Sequence, residues 1–191
     1  MGREFELKFR ADEAKIAAIA AKFHNFTAIC METTYYDTPA RCLSPLRWTL
    51  RRRYENGKSV CTLKTPAPGG ARGEWETECP DILSAIPELC KLGAPIQLAA
   101  CTVDGVEQVC GAKFTRLAKT LVLENCTVEL ALDRGCLMGG GKEEPLTEVE
   151  VELKDGSEEA AVAFAAALAE EFGLIPEKGS KYRRALALAQ K

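Results

Sequence analysis

The chain has 191 residues, of which 47% are hydrophobic and 28% are charged, and its formal net charge is -3. This balance is typical of a globular protein with a core of its own, and it gives no basic field that would favour duplex nucleic acid as a partner. No apolar run approaches the ~20 residues of a membrane span, so no membrane association is predicted. Because the N-terminus enters a strand pattern without the hydrophobic core of a signal peptide, we expect a cytoplasmic protein.

The N-terminal half begins with a strict alternation of charged and apolar residues, which is the period of a β-strand. In residues 3–10 the charged residues share one face: Glu4, Glu6, Lys8 and Arg10. Asp12 then predicts the cap of a helix that runs through Phe23, and a short β-prone stretch follows at 33–36. Further strands are predicted at 47–54, 59–66 and 72–78, with the first two joined by an Asn56-Gly57 hairpin turn.

The C-terminal half repeats this pattern after a segment of mixed character. Residues 81–92 predict a helix, and 95–112 are ambiguous, with one or two strands expected. Alternation returns from Phe114, and strands are predicted at 128–133 and 148–153. A last helix at 157–172 ends at Gly173, before a short basic segment at 179–184. Since no Pro- or Ser-rich linker separates the halves, we predict one domain over residues 1–191.

Nine cysteines are more than usual, but their spacing argues against a zinc site or a disulfide framework. They include no Cys-x-x-Cys pair, their number is odd, and the only histidine is His24. We interpret them as small buried hydrophobic residues in a reducing compartment.

The predicted fold is α+β: a closed eight-stranded antiparallel β-barrel with flanking helices. About eight strands leave a lumen just wide enough for side chains or one small ligand. The apolar residues of the strands would then face outward beneath the helices: Phe5, Leu7, Leu63, Trp75, Val128, Leu130, Val149 and Val151. The charged residues would line the lumen, which reverses the usual barrel. The alternative is that these charges pair with one another and hold no ligand.

Such a lumen predicts both a cation and an anion as ligands. Glu148, Glu150 and Glu152 would face Glu4 and Glu6, and two like charges ~4 Å apart repel by about 4 kcal/mol at an effective dielectric near 20. Carboxylates without His or Cys suit Mg²⁺ or Mn²⁺. The bases require an oxyanion such as phosphate, which guanidinium groups bind in a bidentate manner. These bases are Lys8, Arg51, Arg53, Lys64, Arg116 and Lys181.

A series of motifs along nearly the whole chain resembles the CYTH domain of the triphosphate tunnel metalloenzymes. The motifs are Glu4-x-Glu6-x-Lys8, Leu50-Arg51-x-Arg53, Thr62-Leu63-Lys64, Arg72-x-Glu74-Trp75, Arg116, Val128-Glu129-Leu130, Glu148-x-Glu150-x-Glu152-Leu153 and Ser180-Lys181. The sequence is most similar to the bacterial inorganic triphosphatase branch. It departs from many relatives at Lys119, where they have Trp, and at Ala185, where Gly is frequent.

The resemblance implies a metal-dependent hydrolase that cleaves the terminal phosphate of inorganic triphosphate, with Mg²⁺ or Mn²⁺ as cofactor. It implies these metal-side carboxylates: Glu4, Glu6, Glu129, Glu148 and Glu150. It implies these phosphate-side bases: Lys8, Arg51, Arg53, Lys64, Arg116 and Lys181. Lys8 is also the candidate catalytic residue that manages the proton of the attacking water, although a simple salt bridge to Glu6 explains it equally well.

Two other classes of function stay open at this point. One is a different enzyme of the same family, either an adenylyl cyclase of class IV type or a thiamine or nucleoside triphosphatase. The other is a non-catalytic module that binds polyphosphate, although pure anion binding would not need so many acids. The sequence makes no prediction of oligomeric state.

Overall fold

The computed structural model describes residues 2–67 and 72–190, and the side chains of residues 2–4 lie outside that description. The strands are β1 (Gly2–Glu4), β2 (Glu6–Arg10), β3 (Thr27–Asp37), β4 (Thr49–Glu55), β5 (Lys58–Pro66), β6 (Arg72–Glu78), β7 (Glu107–Val122), β8 (Cys126–Gly139), β9 (Lys142–Gly156) and β10 (Ile175–Pro176). The helices are α1 (Glu13–Phe23), α2 (Ile82–Lys91), α3 (Gln97–Cys101), α4 (Glu158–Phe172) and α5 (Lys181–Gln190). All ten strands belong to one antiparallel sheet, in the order β1-β6-β5-β4-β3-β7-β8-β9-β2-β10.

The prediction of a closed eight-stranded barrel is wrong. In the described part of the chain the sheet has ten strands, and its order ends at β1 on one side and β10 on the other without a ladder between them. The N-terminal segment explains the difference, because it changes partners at Phe5. β1 pairs with β6, whereas β2 pairs with β9. The alternation of residues 3–10 predicts extended backbone, but it carries no information about that change of partner.

Local signals in the sequence account for the ends of several elements. The side chains of Asp12, Asp81 and Ser157 each accept a hydrogen bond from the first turn of the following helix. Gly173 ends α4 in the left-handed conformation, at φ 60°. Asn56 and Gly57 both have positive φ, at 50° and 88°, which is what a two-residue hairpin turn between β4 and β5 requires. The predicted cap at Asp12, the predicted helix end at Gly173 and this predicted turn are confirmed.

The outward face of the sheet is apolar and is covered by helices in two places. Strands β2, β8 and β9 pack beneath α1 and α4 around Leu130 and Val149, which are fully buried. Strands β4, β5 and β6 pack beneath α2 and α3 around Leu63 and Trp75. This arrangement is the predicted one, and it leaves the polar residues of the same strands on the opposite face.

Helix α5 packs on that opposite face, where the sequence predicts only a short basic segment. Tyr182, Ala185 and Leu188 join an apolar cluster with residues of β3, β7, β8 and β9. The packing is close, since a Cβ added at Gly140 would lie 2.7 Å from the Cα of Ala189. The ambiguous segment 95–112 forms α3 and the start of β7. Helix α5 therefore fills one end of the space that the sheet encloses.

Two findings bear on the environment of the chain. Among the described residues, no helix combines the length and apolarity needed to cross a membrane. The interpretation of the cysteines as buried residues holds for Cys61, Cys110 and Cys126, but it is wrong for Cys30 and Cys42, which are exposed.

Candidate functional site

The polar face of the sheet encloses one cavity of about 370 Å³, which strands β2 to β9 and the start of α5 line together. Among the described residues, eight bases and seven acids line it. The bases are Lys8, Arg51, Arg53, Lys64, Arg72, Arg116, Lys154 and Lys181. The acids are Glu6, Glu55, Glu74, Glu76, Glu129, Glu150 and Glu152. A cavity with this lining suits a small, highly charged ligand.

On one side of the cavity three carboxylates occupy neighbouring register positions. Glu152 of β9 lies directly opposite Glu6 of β2 and Glu129 of β8, so the three form a row across adjacent strands. We call these three residues the acidic row. About a quarter of each side chain is exposed. Lys8 bonds Glu6 at 2.8 Å and Lys154 bonds Glu152 at 2.8 Å, so the row is partly neutralised from its edges.

On the other side of the cavity, β4, β5 and β6 present the basic wall, which consists of Arg51, Arg53, Lys64 and Arg72. Glu74 lies among these bases, 3.3 Å from the Nζ of Lys64 and 3.8 Å from the Nη2 of Arg51. The Nε of Arg51 is buried and has no hydrogen-bond partner among the described residues. This donor is available to an oxygen of a ligand in the cavity.

Repulsion among these bases is visible at Arg53. Burial, together with the neighbouring charges of Arg51 and Arg116, lowers the pKa of this guanidinium to about 10. Its polar partners are Thr33, which accepts from Nε at 3.0 Å, and Glu55, whose carboxylate lies 3.5 Å away. An anion bound between these bases would relieve the repulsion.

Near α5 the charges form a compact group, the buried ion cluster, made of Asp133, Glu148, Glu150, Arg116, Lys181 and Arg184. Arg116 binds Asp133 in a bidentate manner, at 2.8 and 2.7 Å, and also bonds Glu150. Lys181 contacts Asp133 at 2.8 Å, Glu150 at 2.7 Å and also Glu148. Arg184 bonds Glu148 at 2.7 Å. Three carboxylates are thus matched by three cations.

The pKa values in the buried ion cluster follow from burial and from this pairing. Burial alone would raise the pKa of Glu150, but Lys181 and Arg116 outweigh it and hold that pKa well below its ordinary value. At Glu148, burial together with the adjacent Glu150 carboxylate raises the pKa to about 7, against the effect of Lys181. The pKa of Lys181 is raised, because its three acidic neighbours outweigh its burial. Glu148 and Glu150 are therefore not equivalent.

Most of the predicted site residues line the cavity, although their roles stay predictions. These are Lys8, Arg51, Arg53, Lys64, Arg116, Lys181, Glu6, Glu129 and Glu150. Glu148 does not line it, because its fully buried side chain is held by Lys181 and Arg184. Glu4 pairs with Arg72 through the backbone, and its side chain lies outside the described residues.

Sequence reasoning did not include several charged residues of this region among the site residues, although it placed Glu152 with the acids that face the lumen. Arg72, Glu152 and Lys154 line the cavity, and Asp133 is the carboxylate that joins Arg116 to Lys181. A signal was present, since all four lie on the charged side of alternating strands. What the pattern could not give was the register that places Asp133 opposite both Arg116 and Glu148.

Comparison with known proteins agrees with this geometry. Residues 2–186 match the CYTH domain family. This chain belongs to the CYTH domain family. A curated relative named inorganic triphosphatase, from Haemophilus influenzae, is 27% identical over 160 residues. That match covers 83% of this chain and 46% of the relative, so the chain spans about half the length of that protein.

Solved structures with the same fold cover almost the whole CYTH domain. A candidate adenylate cyclase from Bacillus halodurans aligns with a TM-score of 0.66 and 18% identity, over 96% of this chain and 98% of the other. A protein from Pyrococcus horikoshii aligns with a TM-score of 0.64 and 24% identity, over 98% and 99%. A Hippeastrum protein, whose described activity is dominantly that of a triphosphatase, aligns with a TM-score of 0.63 and 19% identity, over 99% and 95%. These similarities show the fold.

Two groups of carboxylates in this CYTH domain offer oxygen donors of the kind that Mg²⁺ and Mn²⁺ prefer. Asp133, Glu148 and Glu150 bring oxygens within 4.8 Å of one another, the one such group among the described residues. Of these three, Glu150 lines the cavity, whereas Asp133 and Glu148 do not. The carboxylate oxygens of the acidic row do not form such a close group, but the row lines the cavity directly. The row together with Glu150 therefore fits a divalent cation that also touches a ligand in the cavity.

Proposed function

We propose that this CYTH domain is a metal-dependent hydrolase that removes the terminal phosphate of inorganic triphosphate. The observation that carries the proposal is one cavity lined, among the described residues, by eight bases and seven acids, which include the basic wall on β4 to β6 and the acidic row on β2, β9 and β8. The printed name of the Haemophilus influenzae relative supports the same substrate. We propose that residues 1–191 act as one domain, and that Mg²⁺ or Mn²⁺ is the cofactor.

The basic wall would bind the phosphate oxygens. Guanidinium groups present parallel N–H donors that match two oxygens of one phosphate. The buried Nε of Arg51 would gain the partner that it has not got within the described protein, and Arg53 would gain an anion beside it. Neutralising the charge that builds on the phosphate oxygens is the main task in phosphoryl transfer.

The acidic row and Glu150 would hold the divalent cation. Bound there, such a cation would supply a water of lowered pKa and would neutralise phosphate charge. Lys8 lies beside this position, and its pKa is raised because the ion pair with Glu6 outweighs its burial. It is therefore protonated at neutral pH, and we propose that it neutralises charge and donates a hydrogen bond instead of accepting the proton of the water.

The packing of the aromatic residues in the cavity favours inorganic triphosphate over a nucleotide as the substrate. Among the described lining residues these are Tyr35 and Tyr182, which are 3% and 8% exposed and pack against each other with ring centroids 5.2 Å apart. Neither ring is free to stack on a base. Of the other 19 described lining residues 15 are charged and only Ile29 and Met31 are apolar, whereas a site for a base needs a larger apolar surface.

The experiment is phosphate release by the purified protein, with triphosphate, ATP and thiamine triphosphate compared in the presence of Mg²⁺, Mn²⁺ or EDTA. We expect release from triphosphate with either metal and none with EDTA. Formation of cyclic AMP would instead show a cyclase, and tight binding without turnover would show a binding module.

Two matched pairs of variants test the two sides of the cavity. Arg51→Gln should raise the KM for triphosphate about tenfold or more, whereas Arg52→Gln, on the outward face of the same strand, should leave it unchanged. Glu152→Gln should lower activity and shift its dependence on metal concentration, whereas Glu88→Gln on the outer helix α2 should do neither. Equal effects within either pair would refute the assignment of that side.

A further inference from the structure

The segment that follows β3 is organised by one buried carboxylate, Asp37, which has no exposed surface. One of its oxygens accepts from the backbone N–H of Thr38 at 2.8 Å and of Leu43 at 2.9 Å. The other accepts from the backbone N–H of Ser44 at 3.1 Å and from the Ser44 hydroxyl. Asp37 thus fixes both ends of the turn from Thr38 to Ser44, and it fixes the direction of the Ser44 hydroxyl.

That hydroxyl reaches across to helix α5. The Oγ of Ser44 lies 3.0 Å from the phenolic oxygen of Tyr182. A hydroxyl has one proton to donate, and an ionised carboxylate can only accept. Because Ser44 donates to Asp37, the remaining bond must run from the Tyr182 hydroxyl to Ser44. The order of donation is therefore Tyr182 to Ser44 to Asp37.

Because Tyr182 lies in α5 beside Lys181, this chain of hydrogen bonds can affect the cavity. Tyr182 directly follows Lys181, at the first turn of α5, where the N–H of Arg184 bonds the carbonyl of Ser180 at 3.0 Å. From that turn Lys181 reaches Asp133 at 2.8 Å and Glu150 at 2.7 Å. A shift of the turn would therefore move a cation of the proposed phosphate site.

Packing alone does not require a hydroxyl at this position. The ring of Tyr182 lies against Tyr35 in an apolar cluster, and a phenylalanine ring would fill the same space. Burying the hydroxyl there is unfavourable unless it has a partner, and Ser44 is that partner. The hydroxyl pair is therefore a polar contact that holds the first turn of α5 in addition to its apolar contacts.

We propose that Asp37, Ser44 and Tyr182 are positioning residues, which lock the first turn of α5 so that Lys181 is held in place for the terminal phosphate of the substrate. The proposal rests on the proposed function, because it assigns Lys181 to phosphate binding. None of the three needs to touch the reacting atoms.

The test compares Tyr182→Phe, Ser44→Ala and the double variant, each of which removes a hydroxyl without adding bulk. We expect each single variant to lower kcat/KM for triphosphate about tenfold through misplacement of Lys181. The double variant should be no worse than either single one, because both break the same connection. Ser44→Thr keeps the hydroxyl and should restore most of the activity.

A matched control separates positioning from general loss of stability. Thr102→Val removes another buried hydroxyl, which bonds the carbonyl of Leu98 at 2.8 Å in α3, far from the cavity lining. We expect it to lower the unfolding midpoint without changing kcat/KM. If Tyr182→Phe behaves like this control, the proposal is overturned.

Hydrogen exchange of the amides in residues 181–184 provides a readout that does not depend on turnover. It should become faster in Ser44→Ala and in Tyr182→Phe, but not in Thr102→Val. If the wild-type protein releases no phosphate, the proposed function fails. Hydrogen exchange then still decides whether Asp37, Ser44 and Tyr182 hold the first turn of α5 in place. Unchanged exchange in both variants would overturn the proposal even where activity falls.

Discussion

Replacing Lys181 by methionine tests the electrostatics of the buried ion cluster. The Nζ of Lys181 is buried and lies 2.7 Å from Glu150 and 2.8 Å from Asp133, and it also bonds Glu148. Lys181→Met preserves much of the side-chain volume but removes the charge. It leaves two cations, Arg116 and Arg184, to balance three carboxylates.

Breaking a buried ion pair by removing one partner costs about 3–5 kcal/mol, because the other charge stays buried without compensation. We therefore expect Lys181→Met to lower the free energy of unfolding by about 4 kcal/mol at pH 7. For a chain of this length, that corresponds to a fall of roughly 8–16 °C in Tm. Urea unfolding followed by circular dichroism gives the free energy directly.

The loss of unfolding free energy in Lys181→Met should depend on pH in a defined direction. In the wild type the pKa of Glu150 is held down, chiefly by Lys181 and Arg116 against the effect of burial, so its contribution to stability is present above its unfolded pKa and is lost as pH falls. Without Lys181 the Glu150 carboxyl takes up a proton more readily. Because Glu148, whose pKa is about 7, also loses the lowering effect of Lys181, the difference between variant and wild type should be largest above about pH 8 and should shrink as pH falls.

Two companion variants make the result decisive. Lys178→Met removes a charge from an exposed position three residues earlier and should change stability by less than about 0.5 kcal/mol. Glu150→Gln combined with Lys181→Met should recover part of the loss, because it removes one of the uncompensated acids. A loss below about 1 kcal/mol for Lys181→Met at pH 7 would refute the reasoning.

Two further predictions concern the fold. Gly135→Ala should lower the free energy of unfolding by about 3 kcal/mol, since the added Cβ would overlap the carbonyl oxygen of Lys113 on the neighbouring strand; an unchanged urea midpoint would contradict this. Cys30 should react with an aromatic disulfide reagent at pH 8, whereas Cys61 should react only after unfolding, because burial raises the pKa of its thiol to about 12. Peptide mapping by mass spectrometry distinguishes the two thiols.

The sequence predicted local structure better than it predicted pairing. Alternation predicted which side of a strand faces the helices, and Leu63 and Val149 are buried there as expected. It could not show that the backbone changes partner at Phe5, because alternation reports a residue's face and not its neighbour. The closed barrel was wrong for that reason. Helix α5 was also missed, since its mixed basic and apolar residues were interpreted only as a basic segment.

The same limit applies to the candidate site, and it separates two kinds of acid. Glu148, Glu150 and Glu152 are equivalent in the pattern, but α5 covers the first of them and the cavity exposes the last. The difference comes from Lys181 and Arg184, which lie more than 30 residues away along the chain and bond Glu148. A carboxylate that two cations enclose away from the cavity is poorly placed to hold a metal ion there. The acids available for a divalent cation are therefore those that line the cavity, which is why Glu152, and not Glu148, belongs with Glu6, Glu129 and Glu150.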